Sequence, residues 1–246
     1  MTKEQSIKYQ AVLFGDFAHI QPTEEIIKVC IGSFFSLGLL PTGSTQELNL
    51  QTQKMESRLG LQSMRNGVSV NFLRNRIDIQ ALPMPGSAGS TLTFPDFIKQ
   101  AQDISEIIFN VFKPKVNRAG IVHEKFSEPL NAEKLAILRK KFITSSADTF
   151  PESDIVEWTV RSCSRFTFTG RVQQPVNVIH AINRVNVQVQ DHTGLNDFET
   201  IHVALDINTT PTQDIESSSE AVRDFIEQAF AKEQELMKKI DEAIYG

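Results

Sequence analysis

The side chains able to do chemistry are few and scattered. There are five histidines, at positions His19, His123, His180, His192 and His202. No two of them stand three or four apart on a predicted helix with a carboxylate, the spacing that places metal ligands on one helix face. His180, His192 and His202 fall on neighbouring predicted strands beside Asp191 and Asp206. They could converge as a metal or general-base cluster, or stand as ordinary polar strand residues. Asp16 and Glu124 each close the opening strand of one half of the chain, with His123 adjacent. If the halves meet about a pseudo-twofold axis, this trio is a candidate site between them for a small ligand or acid–base chemistry. Cys163 sits between Ser162 and Ser164 with no evident base, so it lacks the activation a thiol nucleophile needs. The chain has no GxSxG elbow, GxxxxGK[ST] loop or GxGxxG turn. No catalytic residue, metal or cofactor is assigned, and the expectation is a protein without enzymatic activity.

Arginine gives the stronger pattern. Between Ser57 and Ile77 lie Arg58, Arg65, Arg74 and Arg76, with no acid in the window. Arg161, Arg165 and Arg184 fall on later predicted strands. These seven are the predicted partner-binding set, because a guanidinium pairs with carboxylate or phosphate through a planar fork.

The elements that must position them follow from periodicity. Lys8–Phe17 reads as a strand and Gln21–Leu37 as a helix, with Thr23, Glu24 and Glu25 suited to its first turn. Gly38–Ser44, with Pro41 and Gly43, reads as a loop. Strands are expected at Gln46–Lys54, Arg58–Met64, Val68–Leu73 and from Ile77, with Asn66-Gly67 favouring a type I′ turn. Pro83–Ser90 is a connector, and Phe94–Phe112 an amphipathic helix. After Lys113-Pro114-Lys115 the order restarts: strand Val116–Phe126, helix Pro129–Ile143 with Asn131 as N-cap, a polar loop at Thr144–Ser153, then strands Ile155–Thr169, Val176–Gln190 and Phe198–Asn208. The last helix covers about Ser218–Ile244. Its apolar stripe is Val222, Phe225, Ile226, Ala229, Phe230, Leu236, Ile240 and Ile244, and its far end is long enough to project and pair with a second copy.

Each half thus reads strand, helix, antiparallel strands, long helix. The expected fold is α+β: one large antiparallel sheet with four helices on one face, divided as a frayed 1–7, a first repeat 8–113 and a second repeat 114–246. The opposite face should then carry Glu157, Thr159, Arg161, Arg165 and Thr167, then Arg184, Asn186, Gln188 and Gln190, then Thr200, His202, Asp206 and Asn208. From the first half it should carry Arg58, Gln62, Ser69, Asn71, Arg76, Asp78 and Gln80.

Composition bounds the rest. The 246 residues carry a net charge of −5 with 40% hydrophobic content, which is globular. Residues 1–113 hold 10 basic and 10 acidic side chains, against 15 and 20 in 114–246, so the second half carries all the excess acid. That opposes bulk nucleic-acid binding, although the arginine window keeps it open. No apolar run is long enough to span a bilayer and no signal-peptide layout opens the chain, so a cytoplasmic protein without membrane contact is expected. Cys30 and Cys163 read as buried or half-buried free thiols.

The duplicated order resembles the saddle of the TATA-binding protein as topology, with no contacting residue shared by motif. The second half opens on Val116-Asn117-Arg118-Ala119-Gly120-Ile121. That stretch is similar to the v-x-R-x-G-l strand of a sporadically distributed, uncharacterised bacterial family. His123 and Glu124 stand where that family has an aromatic residue and an asparagine. The resemblance implies a bacterial cytoplasmic protein of mobile or defence-type gene neighbourhoods with no established catalytic residues. The expected function is a non-enzymatic binding or regulatory subunit of a bacterial multi-protein system, in antiphage defence or toxin neutralisation, docking a macromolecular partner, a heterologous protein, on the polar sheet face. A nucleic-acid saddle, or a ligand sensor or enzyme at Asp16, His123 and Glu124, are the alternatives.

Overall fold

A computed structural model of the chain describes residues 5–49, 52–83, 91–143, 157–170, 173–191, 194–210 and 218–246. The first half holds β1 (Gln5–Gly15), α1 (Glu24–Phe34), β2 (Leu39–Asn49), β3 (Lys54–Ser63), β4 (Ser69–Phe72), β5 (Arg76–Ala81) and α2 (Phe94–Phe112). The second holds β6 (Val116–Phe126), α3 (Ala132–Phe142), β7 (Trp158–Thr169), β8 (Gln173–Asp191), β9 (Gly194–Thr209) and α4 (Ser219–Tyr245). The strands form one nine-stranded sheet in the order β2-β3-β4-β5-β1-β6-β9-β8-β7, antiparallel throughout. Opening strands β1 and β6 pair at its centre, and each is flanked by the last strand of its own half.

Period-2 alternation sets the two faces. One row crosses the sheet as Leu61, Val70, Ile79, Ala11, Ile121, Ile207 and Val178, all buried. This row faces the helices. Phe97, Ile98, Ala101, Ile104 and Ile108 of α2 and Val222, Phe225, Ile226 and Ala229 of α4 close over it in one core. A second cluster, with Leu135 and Leu138 of α3, Trp158, Ile182 and Val203, fills the end under α3. Asn131 caps α3 as expected, accepting from the Lys134 amide, and Thr23 caps α1 by accepting from Ile26. The seam of the sheet is tight: a Cβ at Gly15 would collide with the Lys115 carbonyl oxygen.

Several expectations shift. Gly38–Ser44 is not a loop: β2 begins at Leu39 and absorbs Pro41 and Gly43, with a register shift between Thr42 and Thr45. An edge strand tolerates proline because the missing N–H would face solvent. The turn at Asn66-Gly67 is not type I′, because Gly67 has φ 71° but Asn66 does not reach positive φ. The far end of α4 does not project. Ile244 is buried in the second cluster, Lys125 reaches Asp241 at 2.7 Å, and the Tyr245 hydroxyl accepts from the Glu128 amide. The expected Thr144–Ser153 loop and Pro83–Ser90 connector lie largely outside the described residues, as does His192. No helix among the described residues is long and apolar enough to cross a membrane.

Candidate functional site

With the helices on one face, no helix among the described residues covers the other face of the sheet. Register places Asn71, Asp78, Val12, Gly120, Asn208, Asn177 and Arg165 along one row of it. Asp78, Val12 and Asn208 in that row are buried, where exposure is expected of Asp78 and Asn208. Arg161, Gln62, Ser69, Gln80, His202 and Asp206 share this face, as the alternation predicts.

The centre of the face is tied to itself. The Glu124 carboxylate takes Lys8 Nζ at 3.2 Å and His202 Nε2 at 3.3 Å. The His202 hydrogen bond, then that of Lys8, outweighs the cost of burial and holds Glu124 down to about 2. Asp78 pairs with Arg76 at 3.0 Å and accepts from Gln10. Burial pushes the Asp78 carboxyl up, and Arg76 only partly offsets it.

The arginines sort into two kinds. Arg58 is 1% exposed. Its Nε donates to Glu47 at 2.8 Å and its Nη2 to Glu56 at 2.7 Å. Glu47 also accepts the Arg74 amide, and Arg74 Nη1 lies 3.7 Å from Glu56. The acid-free window was therefore illusory. Glu47 and Glu56 precede it in sequence and face one another across the β2–β3 hairpin, which returns them to Arg58. Arg65 lies apart, exposed in the β3–β4 turn beside Gly38. Arg184 is on the wrong face for the predicted set. β8 pairs with β9 without a shift from Val176 to Asp191, so Arg184 follows Val176, Val178 and Ile182 toward the helices, where it pairs with Glu199. Asn186 and Gln188 go with it by the same register. Thr200 is buried against Ser127 and is likewise not part of the open surface.

Arg161 and Arg165 remain. Both are exposed on β7, on the same face, with exposed Cys163 between them. Arg165 Nε donates to Asn177 Oδ1, and neither arginine has a carboxylate partner among the described residues. Cys163 is thus not the half-buried thiol expected, whereas Cys30 is buried and its thiol is pushed up to about 11 by desolvation.

The proposed trio does not assemble. Antiparallel pairing puts Gly15 against Val116 and Lys8 against Glu124, so Asp16 and Glu124 lie at opposite ends of the β1–β6 pair, roughly 25 Å apart at strand rise. Asp16 is exposed and caps the Ala18 amide. His123 points to the helices while its neighbour Glu124 points to the open face. His180 and His202 also part company: His180 meets Ser162 on the helix side, where burial lowers its pKa, and His202 meets Glu124 on the open side. No group of three metal-ligating side chains occurs among the described residues.

His123 instead joins a chain, buried at Glu233 and half-buried at Ser6, that the sequence expectations do not contain. Its Nδ1 lies 2.6 Å from Glu233 Oε1 and its Nε2 lies 3.0 Å from Ser6 Oγ. The order is that of a nucleophile relay, but Phe94 stacks on the ring at 4.4 Å and Tyr9 packs edge-on at 5.2 Å. The ring is closed off, and the bond ties α4 to the centre of the sheet. A signal did exist: the α4 stripe has a gap between Phe230 and Leu236, and Glu233 fills it at helical spacing.

No protein-family model and no curated protein matches this chain.

Proposed function

We propose that this chain is a non-enzymatic binding or regulatory subunit of a bacterial multi-protein system, working in the cytoplasm in antiphage defence or toxin neutralisation. It docks a heterologous protein on the open sheet face at its β7 end. Descent of the two halves from one duplicated unit would explain why β1 and β6 pair at the centre with matching neighbours. One observation carries the placement: among the described residues the exposed Arg161 and Arg165 stand together on one strand without carboxylate partners, whereas Arg65 is isolated in the β3–β4 turn and Arg58, Arg74 and Arg76 are held by Glu47, Glu56 and Asp78. The net charge of −5 opposes a polyanion, so the reading favours a protein partner over nucleic acid.

Cys163 supplies the test, because it is exposed within the site and Cys30 is buried. A benzophenone maleimide on Cys163 should cross-link one protein partner in host cells. The same probe on an Ile137→Cys, Cys163→Ser variant, which places it on the outer side of α3, should not. Cross-linking from α3 alone would place the partner on the helix layer and overturn the reading.

A further inference from the structure

Among the described residues the sheet ends in two unpaired edge strands, which differ in how they are protected. Edge strand β2 carries Pro41 and a register shift between Thr42 and Thr45, devices that stop another strand from pairing. Edge strand β7 has neither proline nor shift, and its charged side chains are Arg161 and Arg165. Its twelve residues pair with β8 without a shift, from Trp158 against Arg184 to Thr169 against Gln173. It contains no proline, glycine or lysine, and Cys163 through Thr167 are all exposed. A regular exposed edge is a template for an added strand.

The side chains on that edge specify which strand. Arg161 and Arg165 are four residues apart on the open face, roughly 13 Å along the strand, and have no carboxylate partner among the described residues. Toward the helices the edge shows small Ser162 and Ser164, then exposed Phe166 with Lys232 Nζ 4.6 Å from its ring. A second copy of this chain fits poorly. Antiparallel self-pairing centred on Cys163 sets Arg161 of one copy against Arg165 of the other, and like charges directly opposite are unfavourable. We therefore propose that β7 takes an extended acidic segment of a partner protein as a tenth strand, with two carboxylates four residues apart seated on Arg161 and Arg165. This rests on the reading of the open face as the docking surface and names the partner's chemistry.

The probe is an N-acetylated, C-amidated ten-residue peptide of alternating Thr and Val with two Glu four residues apart. It is titrated into the full-length protein by calorimetry, with amide hydrogen exchange on the complex. The expected result is saturable binding, slowed exchange confined to Trp158–Thr169, and at least tenfold weakening both in Arg161→Glu/Arg165→Glu and when alternate peptide amides along the pairing edge are N-methylated. Replacing both Glu by Lys in the peptide should restore binding to the charge-reversed protein. Equal binding of the N-methylated peptide would overturn strand addition while leaving the open-face reading standing. No binding of any acidic peptide would overturn the proposal, and the Cys163 cross-link then decides the open-face reading by itself. A dimer in sedimentation that the Arg161→Glu/Arg165→Glu change dissociates would assign the edge to a second copy and overturn it as well.

Discussion

The arginines near β3–β5 and those on β7 look alike in sequence and differ in the folded protein. Arg58 is buried between Glu47 and Glu56, and Arg76 rests on Asp78. Arg161 and Arg165 are exposed, with no carboxylate partner among the described residues. The first group spends its charge inside the molecule, where it fixes the β2–β3 hairpin; the second keeps its charge for something outside. The number of arginines in a window is therefore a poor guide to binding. What decides is whether the sheet register returns an acid to each of them.

The largest effect that would sharpen this contrast is at Arg58. Arg58→Ala leaves Glu47 and Glu56 facing each other without a cation. It should cost about 3–5 kcal/mol, read as a fall in the urea midpoint. An unchanged midpoint would break the contrast. Next comes the cross-tie under the centre of the sheet: His123→Ala or Glu233→Ala should each cost about 2–4 kcal/mol, with Glu233→Gln milder because the amide can still accept.

A smaller, pH-dependent effect belongs to Glu124. Its folded carboxyl is held at about 2 against an ordinary 4.5, a depressed value. Its contribution is therefore complete above about pH 4.5 and fades as pH falls toward 2. The gap in stability between wild type and Glu124→Gln should be on the order of 2 kcal/mol near pH 6 and should close through the acid limb. Asp78 runs the other way. Its raised value means that stability is lost as pH rises through its folded titration, so Asp78→Asn should flatten that region of the profile. The smallest effect is expected at β7, where Arg161→Ala/Arg165→Ala should shift stability by no more than about 0.5 kcal/mol.

Much of the fold was legible because alternation and helical spacing are local. Ile77 and Ile79 and the stripe Phe97, Ile98, Ala101, Ile104 and Ile108 declare their faces without tertiary help. Failures occurred where the pattern changed phase or the partner was distant. In β8 the apolar residues move from Val176, Val178 and Ile182 to Val185 and Val187, while the pairing continues unshifted, so Arg184 was assigned to the wrong face. Burial of Arg58 depends on a hairpin register that brings back residues from outside its window. Asp16 and Glu124 were matched by their place in each half, but antiparallel strands meeting at their middles carry such equivalents to opposite ends. Of the candidate site, Arg161 and Arg165 are readable from β7 alone, because no other element among the described residues returns to cover them.

The contrast between the two arginine groups is tested most directly by partner capture through the Cys163 cross-linker, with charge reversals at matched exposed positions on the same face. The account predicts that Arg161→Glu/Arg165→Glu abolishes the cross-linked partner, while Arg74→Glu/Arg76→Glu, at side chains 41% and 44% exposed, retains it. Loss with the Arg74 and Arg76 pair and retention with the β7 pair would contradict it.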